Sequence, residues 1–314
     1  MVGWRKPERT GSILFAEMLS ACTPRAARSC LGPLLVVLVC LALLAAPVER
    51  AWAAGSNGQK ALGYRFGVFP YVPALTIDRI FGPIAASFAA ELGRPVYLKT
   101  RSTFEKFAEQ IKKQAYDIIF VHPFFYVQAA DRYNYLPLAR LEGQMSAIAL
   151  VREDRPWRRW SELAGKIVAT PPPLAAVSEL ARAGLIDAGL IPGIDTILRH
   201  YRTKTLCLQA VSIGAADACV LPGFVLPQID AIGKVKLRIM AETPAVNHLV
   251  FATHQRVPSI ERGKLLALML SWPDSEQGRA ILAAGSWPRF VAAHDADYAQ
   301  VRDYDARLRM LAQR

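Results

Sequence analysis

Short apolar runs alternate with amphipathic segments along this chain, and the alternation predicts strands followed by helices. The first predicted elements are strand 64–69, a helix that ends at Leu92 before Gly93, strand 95–100, a helix that begins at Ser102, and strand 116–121. Ser102 is predicted to cap its helix, because Glu105 stands three residues later as in a capping box. Strands separated by helices indicate a parallel sheet that is covered on both faces.

The same order recurs in the second half of the chain. The elements predicted there are a turn from Ser161, strand 167–170, helix 174–188, strand 197–201, a helix through 208–213, and strand 218–221. Two apolar strands, 147–151 and 249–253, have no helical partner, and we interpret them as the crossings between two α/β lobes. The segment from Ser259 onward is predicted to be helical and to pack on the first lobe.

Residues 34–46 form an apolar run that resembles the centre of a secretory signal peptide. Arg25 and Arg28 precede the run, and small residues around Ala53 follow it as a cleavage site. A helix of this length rises only about 20 Å, which is short of the roughly 30 Å hydrocarbon core of a membrane. We therefore predict a signal peptide at 1–53, cleaved near Ala53, with a permanent anchor as the alternative. Either Met1 or Met18 is the start.

Composition and charge fit an exported globular protein. The chain has 314 residues, 53% of them apolar, which excludes a disordered chain. Basic residues exceed acidic ones by 12, and a surplus of nine remains once residues 1–53 are removed. Outside the cytoplasm this surplus indicates anionic ligands or a solvated basic surface, and we expect no nucleic-acid partner.

Two of the five cysteines remain after such cleavage. Cys207 is predicted to lie in a helix and Cys219 in the strand that follows it. An oxidising compartment permits a disulfide between them, and two buried free thiols are the alternative.

Motifs of catalysis are missing from the sequence. It contains no G-x-S-x-G, no Walker loop, no H-E-x-x-H, no C-x-x-C and no dinucleotide glycine fingerprint after the first strand. The five histidines are too dispersed for a metal site to be recognised from sequence. We therefore expect no enzyme activity, no cofactor and no metal.

In open α/β sheets, ligands bind beyond the carboxyl ends of the strands, where helix N-termini present free N–H groups. The candidate ligand-binding residues near those ends are Tyr71, Ser102, Thr103, His122, Tyr126, Ser178 and Lys204. Six of them have a structural alternative: Ser102 or Thr103 caps its helix, Tyr71 is a surface aromatic residue, His122 bonds to backbone, Tyr126 packs in the core, and Lys204 is solvated. Ser178 lies one helical turn further from the strand end.

The run YDIIFVHPFFYVQA, residues 116–129, resembles a segment of the phosphate-, phosphite- and phosphonate-binding proteins of ABC importers. The resemblance extends to 67–70, 92–96, 163–166 and 214–218, in the order that the family shows. It implies a type II periplasmic-binding fold, with two α/β lobes joined by two crossing strands. Lobe 1 would comprise 54–148 and 246–314, and lobe 2 would comprise 149–245.

The resemblance also implies a function. The protein would be a monomer that binds a small phosphonate- or phosphate-like anion by hinge closure and delivers it to an ABC permease in the inner membrane. A periplasmic receptor that signals to a membrane kinase or chemoreceptor is the alternative. One departure concerns the second lobe, where Pro171, Pro172 and Pro173 replace the Ser and Thr residues typical of phosphoryl binding. Because proline has no N–H, we expect an oxyanion on one side of the cleft and an apolar group on the other.

Overall fold

The computed structural model describes residues 63–223 and 236–312. The predicted signal peptide at 1–53, with Cys22, Cys30 and Cys40, lies outside the described residues. No helix in the described ranges is both long and apolar enough to span a membrane.

The described residues form strands and helices that we number in chain order. The strands are β1 (Tyr64–Val68), β2 (Val96–Lys99), β3 (Ile118–Val121), β4 (Tyr135–Leu141), β5 (Gln144–Met145), β6 (Ala147–Arg152), β7 (Ile167–Thr170), β8 (Ile197–His200), β9 (Ala218–Pro222), β10 (Leu237–Glu242), β11 (Val246–Asn247), β12 (Val250–His254) and β13 (Phe290–Ala292). The helices are α1 (Ala74–Leu92), α2 (Phe104–Lys112), α3 (Pro123–Tyr133), α4 (Ala176–Asp187), α5 (Lys204–Ser212), α6 (Ser259–Leu270), α7 (Glu276–Gly285) and α8 (Ala299–Ala312).

Two mixed sheets organise these elements, and each forms the centre of one lobe. The six-stranded sheet of the first lobe has the order β13-β4-β12-β3-β1-β2, in which β1 pairs in parallel with both β2 and β3. The five-stranded sheet of the second lobe has the order β10-β6-β9-β7-β8, in which β7 pairs in parallel with β8 and β9. The predicted strand–helix–strand units are therefore confirmed in both lobes.

The crossings between the sheets differ from the prediction. The apolar strands at 147–151 and 249–253 are not the crossings, because β6 belongs to the five-stranded sheet and β12 to the six-stranded sheet. The chain passes between the lobes at β5 and β11, which pair antiparallel through Val246–Met145 and Asn247–Gln144. Each of these strands has only two residues, which is too short to show a hydrophobic period, so patterning does not predict them.

Hydrophobic patterning also does not predict two strands at the edges of the sheets. The segment after Ser259 is helical as predicted, but it also contributes β13, which pairs with β4 at one edge of the first sheet. β10 pairs with β6 at an edge of the second sheet. Its residues are mostly half-buried or exposed, which weakens the apolar signal of a strand.

The N-cap of α2 lies one residue later than predicted. Its N-cap is Thr103, whose hydroxyl accepts a hydrogen bond from the Lys106 N–H at 3.2 Å, so the assignment of the cap to Ser102 was wrong. Ser and Thr are both good N-caps, and only the backbone conformation decides between neighbouring candidates.

Aromatic packing fills the core of the first lobe. Phe66, Phe120 and Phe251 are fully buried, and the rings of Phe120 and Phe251 lie 4.7 Å apart. Gly67 is required in β1, because a Cβ there would lie 2.6 Å from the Tyr116 ring. This close packing holds β1 and β3 at a fixed register.

The second lobe contains a smaller core with a disulfide. Cys207 of α5 and Cys219 of β9 are both fully buried, and they are bonded to each other with their Cα atoms 5.7 Å apart. Leu208 and Val211 pack in the same cluster. Of the two alternatives left open by the sequence, the structure contains the disulfide.

We expect replacement of Cys207 and Cys219 by Ser to lower the free energy of unfolding by about 3 kcal/mol, because the bond closes a short loop in the unfolded chain. Urea denaturation measures the change. The wild type in a reducing agent should match the double variant, and equal stability of oxidised wild type and double variant would contradict a native disulfide.

Candidate functional site

The carboxyl ends of β1, β2 and β3 meet at one edge of the first sheet, because these strands run parallel. Tyr71 follows β1, Ser102 and Thr103 follow β2, and His122 follows β3. The structure thus brings four of the seven predicted residues to the same edge.

His122 is the most deeply buried of these four residues. It is the N-cap of α3, and its Nδ1 accepts a hydrogen bond from the Phe125 N–H at 3.3 Å. Its Nε2 donates to the carbonyl oxygen of Leu174 at 3.0 Å, so the ring joins the edge of the first lobe to the loop before α4 in the second. Burial lowers the pKa of His122 to about 3, so the ring is neutral at physiological pH.

Tyr71 packs partly into the first lobe. Its ring stacks on Phe69 with the centroids 4.7 Å apart and meets Phe81 edge to face. Burial raises the pKa of its hydroxyl, which therefore remains a neutral donor. This arrangement leaves a half-buried aromatic side chain at the end of β1.

The polar residues at the helix starts are exposed. Ser102 and Thr103 are both exposed, although the Thr103 hydroxyl already serves as the cap of α2. Lys204 is exposed at the first position of α5, next to the carboxyl end of β8.

Ser178 and Tyr126 have hydroxyls that are engaged elsewhere. Ser178 is fully buried in α4, and its Oγ donates to the carbonyl of Pro171 at 2.9 Å. Tyr126 is fully buried in α3, and its hydroxyl donates to Asp295 at 2.7 Å. Tyr126 thus has the core position given above as its structural alternative, and the Ser178 hydroxyl is occupied by backbone within its own lobe.

His200 was not among the predicted site residues, although it is exposed at the carboxyl end of β8. Its Nδ1 lies 2.9 Å from the Pro171 carbonyl and 2.8 Å from the Thr170 hydroxyl. Because a carbonyl only accepts, Nδ1 carries the proton in the bond to Pro171, and Nε2 is then the nitrogen left for other partners. Its position at the carboxyl end of a predicted parallel strand was the available signal in the sequence.

A cavity of about 280 Å³ lies beside the crossing strands, between the start of β6 and the ends of β9 and β10. Its polar lining consists of Gln144, Ser146, Glu242 and His248. Ser146 donates a short hydrogen bond to the Glu242 carboxylate. Burial lowers the pKa of His248 to about 4, so this ring is also neutral.

Helix α4 provides further contacts between the lobes. Asp187 at its end accepts hydrogen bonds from the Tyr304 hydroxyl at 3.0 Å and from Arg307 at 2.8 Å, both on α8 of the first lobe. Glu179 of α4 and Asp305 of α8 are both almost fully buried. Burial raises the pKa of Glu179 to about 7, with a smaller opposing effect of Arg182 and an added repulsion from Asp305.

A scan against protein families matches residues 66–298 to the family described as ABC transporter, phosphonate, periplasmic substrate-binding protein. The chain belongs to this family. The resemblance seen in the sequence is thereby confirmed, and the fold is that of type II periplasmic binding proteins, as predicted. The family places this substrate-binding protein in the periplasm, with a small molecule as ligand and an ABC permease as partner.

Solved structures share the fold of this phosphonate-family protein at low sequence identity. XAC2383 from Xanthomonas citri, solved with ATP bound, is 13% identical, with a TM-score of 0.67 over 80% of this chain and 98% of that one. PhnD1 from Prochlorococcus marinus, in complex with methylphosphonate, is 14% identical, with a TM-score of 0.65 over 78% and 98%. A binding protein component of an ABC phosphonate transporter from Pseudomonas aeruginosa is 12% identical, with a TM-score of 0.61 over 80% and 94%.

A search of curated proteins finds no match to this periplasmic binding protein. Within residues 63–223 and 236–312, no group of three His, Cys, Asp or Glu side chains is placed to hold a metal ion.

The raised pKa of Glu179 gives a prediction for stability. A carboxyl whose pKa is higher in the folded state stabilises the fold while it is protonated, and this contribution is lost as pH rises from about 4.5 to about 7. We expect Glu179→Gln to remove this loss and to be more stable than the wild type at alkaline pH by about 1–3 kcal/mol.

Urea denaturation across this pH range provides the measurement. The matched control is Glu109→Gln, which removes an exposed carboxylate from α2 and should keep the pH dependence of the wild type. An unchanged pH dependence in Glu179→Gln would show that the Glu179 carboxyl is charged in the folded protein.

Proposed function

We propose that the protein binds a small anionic solute between the two lobes and closes on it about β5 and β11. The closed form then delivers the solute to an ABC permease in the inner membrane. The contact between His122 and the Leu174 carbonyl carries this proposal, because it joins the strand ends of one lobe to the strand ends of the other. Such a contact forms when the lobes approach, and it therefore favours the closed form.

The crossing strands support hinge motion. β5 and β11 form a separate two-stranded ribbon, so rotation there leaves the pairing within both larger sheets intact. The proposed lobe boundaries, with 54–148 and 246–314 in lobe 1 and 149–245 in lobe 2, lie close to this ribbon. Solute contacts made to both lobes provide the differential affinity that closure requires.

The solute is a compact oxyanion with an apolar substituent. Ser102, Thr103 and Lys204 supply hydroxyl and ammonium donors at the strand ends. We add His200 of the second lobe, whose Nε2 accepts from the O–H of a singly protonated oxyanion. Tyr71 supplies an aromatic face for the substituent. Two of the similar proteins are solved with methylphosphonate and with ATP, which also carry phosphorus oxyanions.

The prolines before α4 limit the donors on the second lobe. Pro171, Pro172 and Pro173 have no N–H, and the Leu174 carbonyl faces His122. The Ala175 N–H donates to the Pro172 carbonyl, so it is also occupied. The second lobe therefore contributes chiefly through its side chains after β8, which favours a solute with few oxygen atoms on that side.

We expect at least one of methylphosphonate, phosphite, phosphate and an aliphatic sulfonate to raise the Tm. At a concentration about 100 times the Kd, the stabilisation is about 2.7 kcal/mol, or roughly 5–10 °C for a domain of this size. Calorimetry then gives the Kd, and small-angle scattering should show a smaller radius of gyration with the anion. Absence of any shift would contradict the proposed solute class, and binding without compaction would contradict the hinge.

Replacement of Tyr71 and Ser102 together by Ala should weaken binding of the selected anion about tenfold or more, because one hydrogen bond and one aromatic contact are lost. Calorimetry measures the affinity. The matched control replaces Tyr97 and Ser161, which are exposed and lie away from the candidate site, and should bind as the wild type does. If the variant without Tyr71 and Ser102 binds the anion as tightly as the wild type and the control do, these two residues do not belong to the site.

A further inference from the structure

A cationic region lies on the second lobe, on the side opposite to the proposed cleft. We call it the arginine surface, and it comprises Arg152, Arg155, Arg158, Arg159, Lys166, Lys236 and Arg238. β6 ends here at Arg152, which is paired with Leu237 at the start of β10. Because β6 runs antiparallel to β9, this end of β6 lies at the amino end of β9 and away from the carboxyl ends that border the cleft.

Carboxylates neutralise only part of the arginine surface. Asp154 accepts a hydrogen bond from Arg152 at 2.5 Å, and its other oxygen lies 4.0 Å from Arg155. Glu162 is occupied by the backbone N–H groups of Arg158 and Arg159, at 2.7 and 2.8 Å. Glu153 is a further exposed carboxylate, and the Asp217 carboxylate at the amino end of β9 is occupied by the Ile167 N–H at 2.9 Å. The seven cationic side chains still outnumber these carboxylates.

Two guanidinium groups of the arginine surface are held by the backbone. Arg158 donates to the carbonyls of Arg155, Pro156 and Trp157 at 3.1–3.3 Å. Arg238 donates to the carbonyls of Arg155 and Trp157, both at 2.6 Å. Burial and the neighbouring Arg158 lower the pKa of Arg238, and its buried Nε has no partner in the part of the chain that the structure describes. Two like charges are thus fixed side by side, where an added anion relieves their repulsion.

Trp157 lies within this cationic region. The charged groups of Arg155 and Lys166 lie 5.5 and 5.2 Å from the centre of its ring, and the ring is half-buried. Tryptophan surrounded by cationic side chains suits the headgroup layer of a membrane, where the ring meets the apolar boundary and the cations meet phosphates.

We propose that the arginine surface docks the protein on a membrane rich in anionic phospholipid. Arg and Lys donate to phosphodiester oxygens, and the surplus of positive charge supplies attraction to the negative surface potential. Docking through this surface leaves the cleft edge of the second lobe uncovered, so the protein can take up solute while it stays near the membrane. An acidic protein partner would use the same charges without a need for the Trp157 ring.

The test uses protein recovered from the periplasm and co-sedimentation with vesicles of phosphatidylglycerol or of phosphatidylcholine. We expect binding to phosphatidylglycerol only, weakened by added salt. Replacement of Arg155 and Arg159 by Gln should lower partitioning about 30-fold, the effect of two cations near an anionic surface. The matched control replaces Lys112 and Lys113, which are exposed on the first lobe, by Gln. It should reduce partitioning far less.

Trp157→Phe separates lipid docking from other kinds of binding. Fluorescence quenching by brominated phosphatidylglycerol should be seen in the wild type and be mostly lost in this variant. Equal binding to both lipids would indicate an apolar anchor and overturn the proposal. The proposal would also be overturned if the Arg155 and Arg159 variant and the Lys112 and Lys113 variant lost vesicle binding equally. Binding to polyglutamate without binding to phosphatidylglycerol would overturn it as well. Solute affinity and Tm should be unchanged in the Arg155 and Arg159 variant, which separates this test from that of the cleft.

Discussion

Helix α4 follows a strand of the second lobe but buries nine of its twelve residues, against both its own sheet and the helices of the first lobe. Its two ends are tied to the first lobe, through the Leu174 carbonyl before it and through Asp187 at its end. The relative position of the two lobes depends on this packing. A motion that separates the lobes must either carry α4 with the first lobe or break the hydrogen bonds of His122 and Asp187 across the interface.

The buried carboxyl of Glu179 reduces the free energy that α4 gains from burial. Apolar neighbours on the same helix, such as Leu180 and Leu185, gain from burial, whereas a carboxylate loses hydration there. Arg182 compensates this loss only in part, because its own side chain is partly exposed. Hydrophobic burial along α4 and the hydrogen bonds at its two ends therefore hold the lobes together, whereas the buried Glu179 carboxyl opposes this packing.

Much of the fold could be predicted from the sequence, because buried parallel strands read as short apolar runs with helices between them. The crossings at β5 and β11 could not, since two-residue strands carry no periodicity. Among site residues, placement after a strand located Tyr71 and His122 correctly at the sheet edge. It did not reveal which hydroxyls were already occupied. Tyr126 bonds to Asp295, which is distant in sequence, and Ser178 bonds to the Pro171 carbonyl across the turn before α4; neither partner is known until the chain is folded.

The disulfide between Cys207 and Cys219 makes the second lobe respond to its surroundings. In the reducing cytoplasm the two thiols stay apart, and the lobe lacks the restraint that ties α5 to β9. A chain in that state unfolds more readily than the oxidised one, because its unfolded form keeps the conformational freedom that the bond removes. In the oxidising periplasm the bond restrains the lobe, so the stability of the second lobe depends on the compartment that holds the protein.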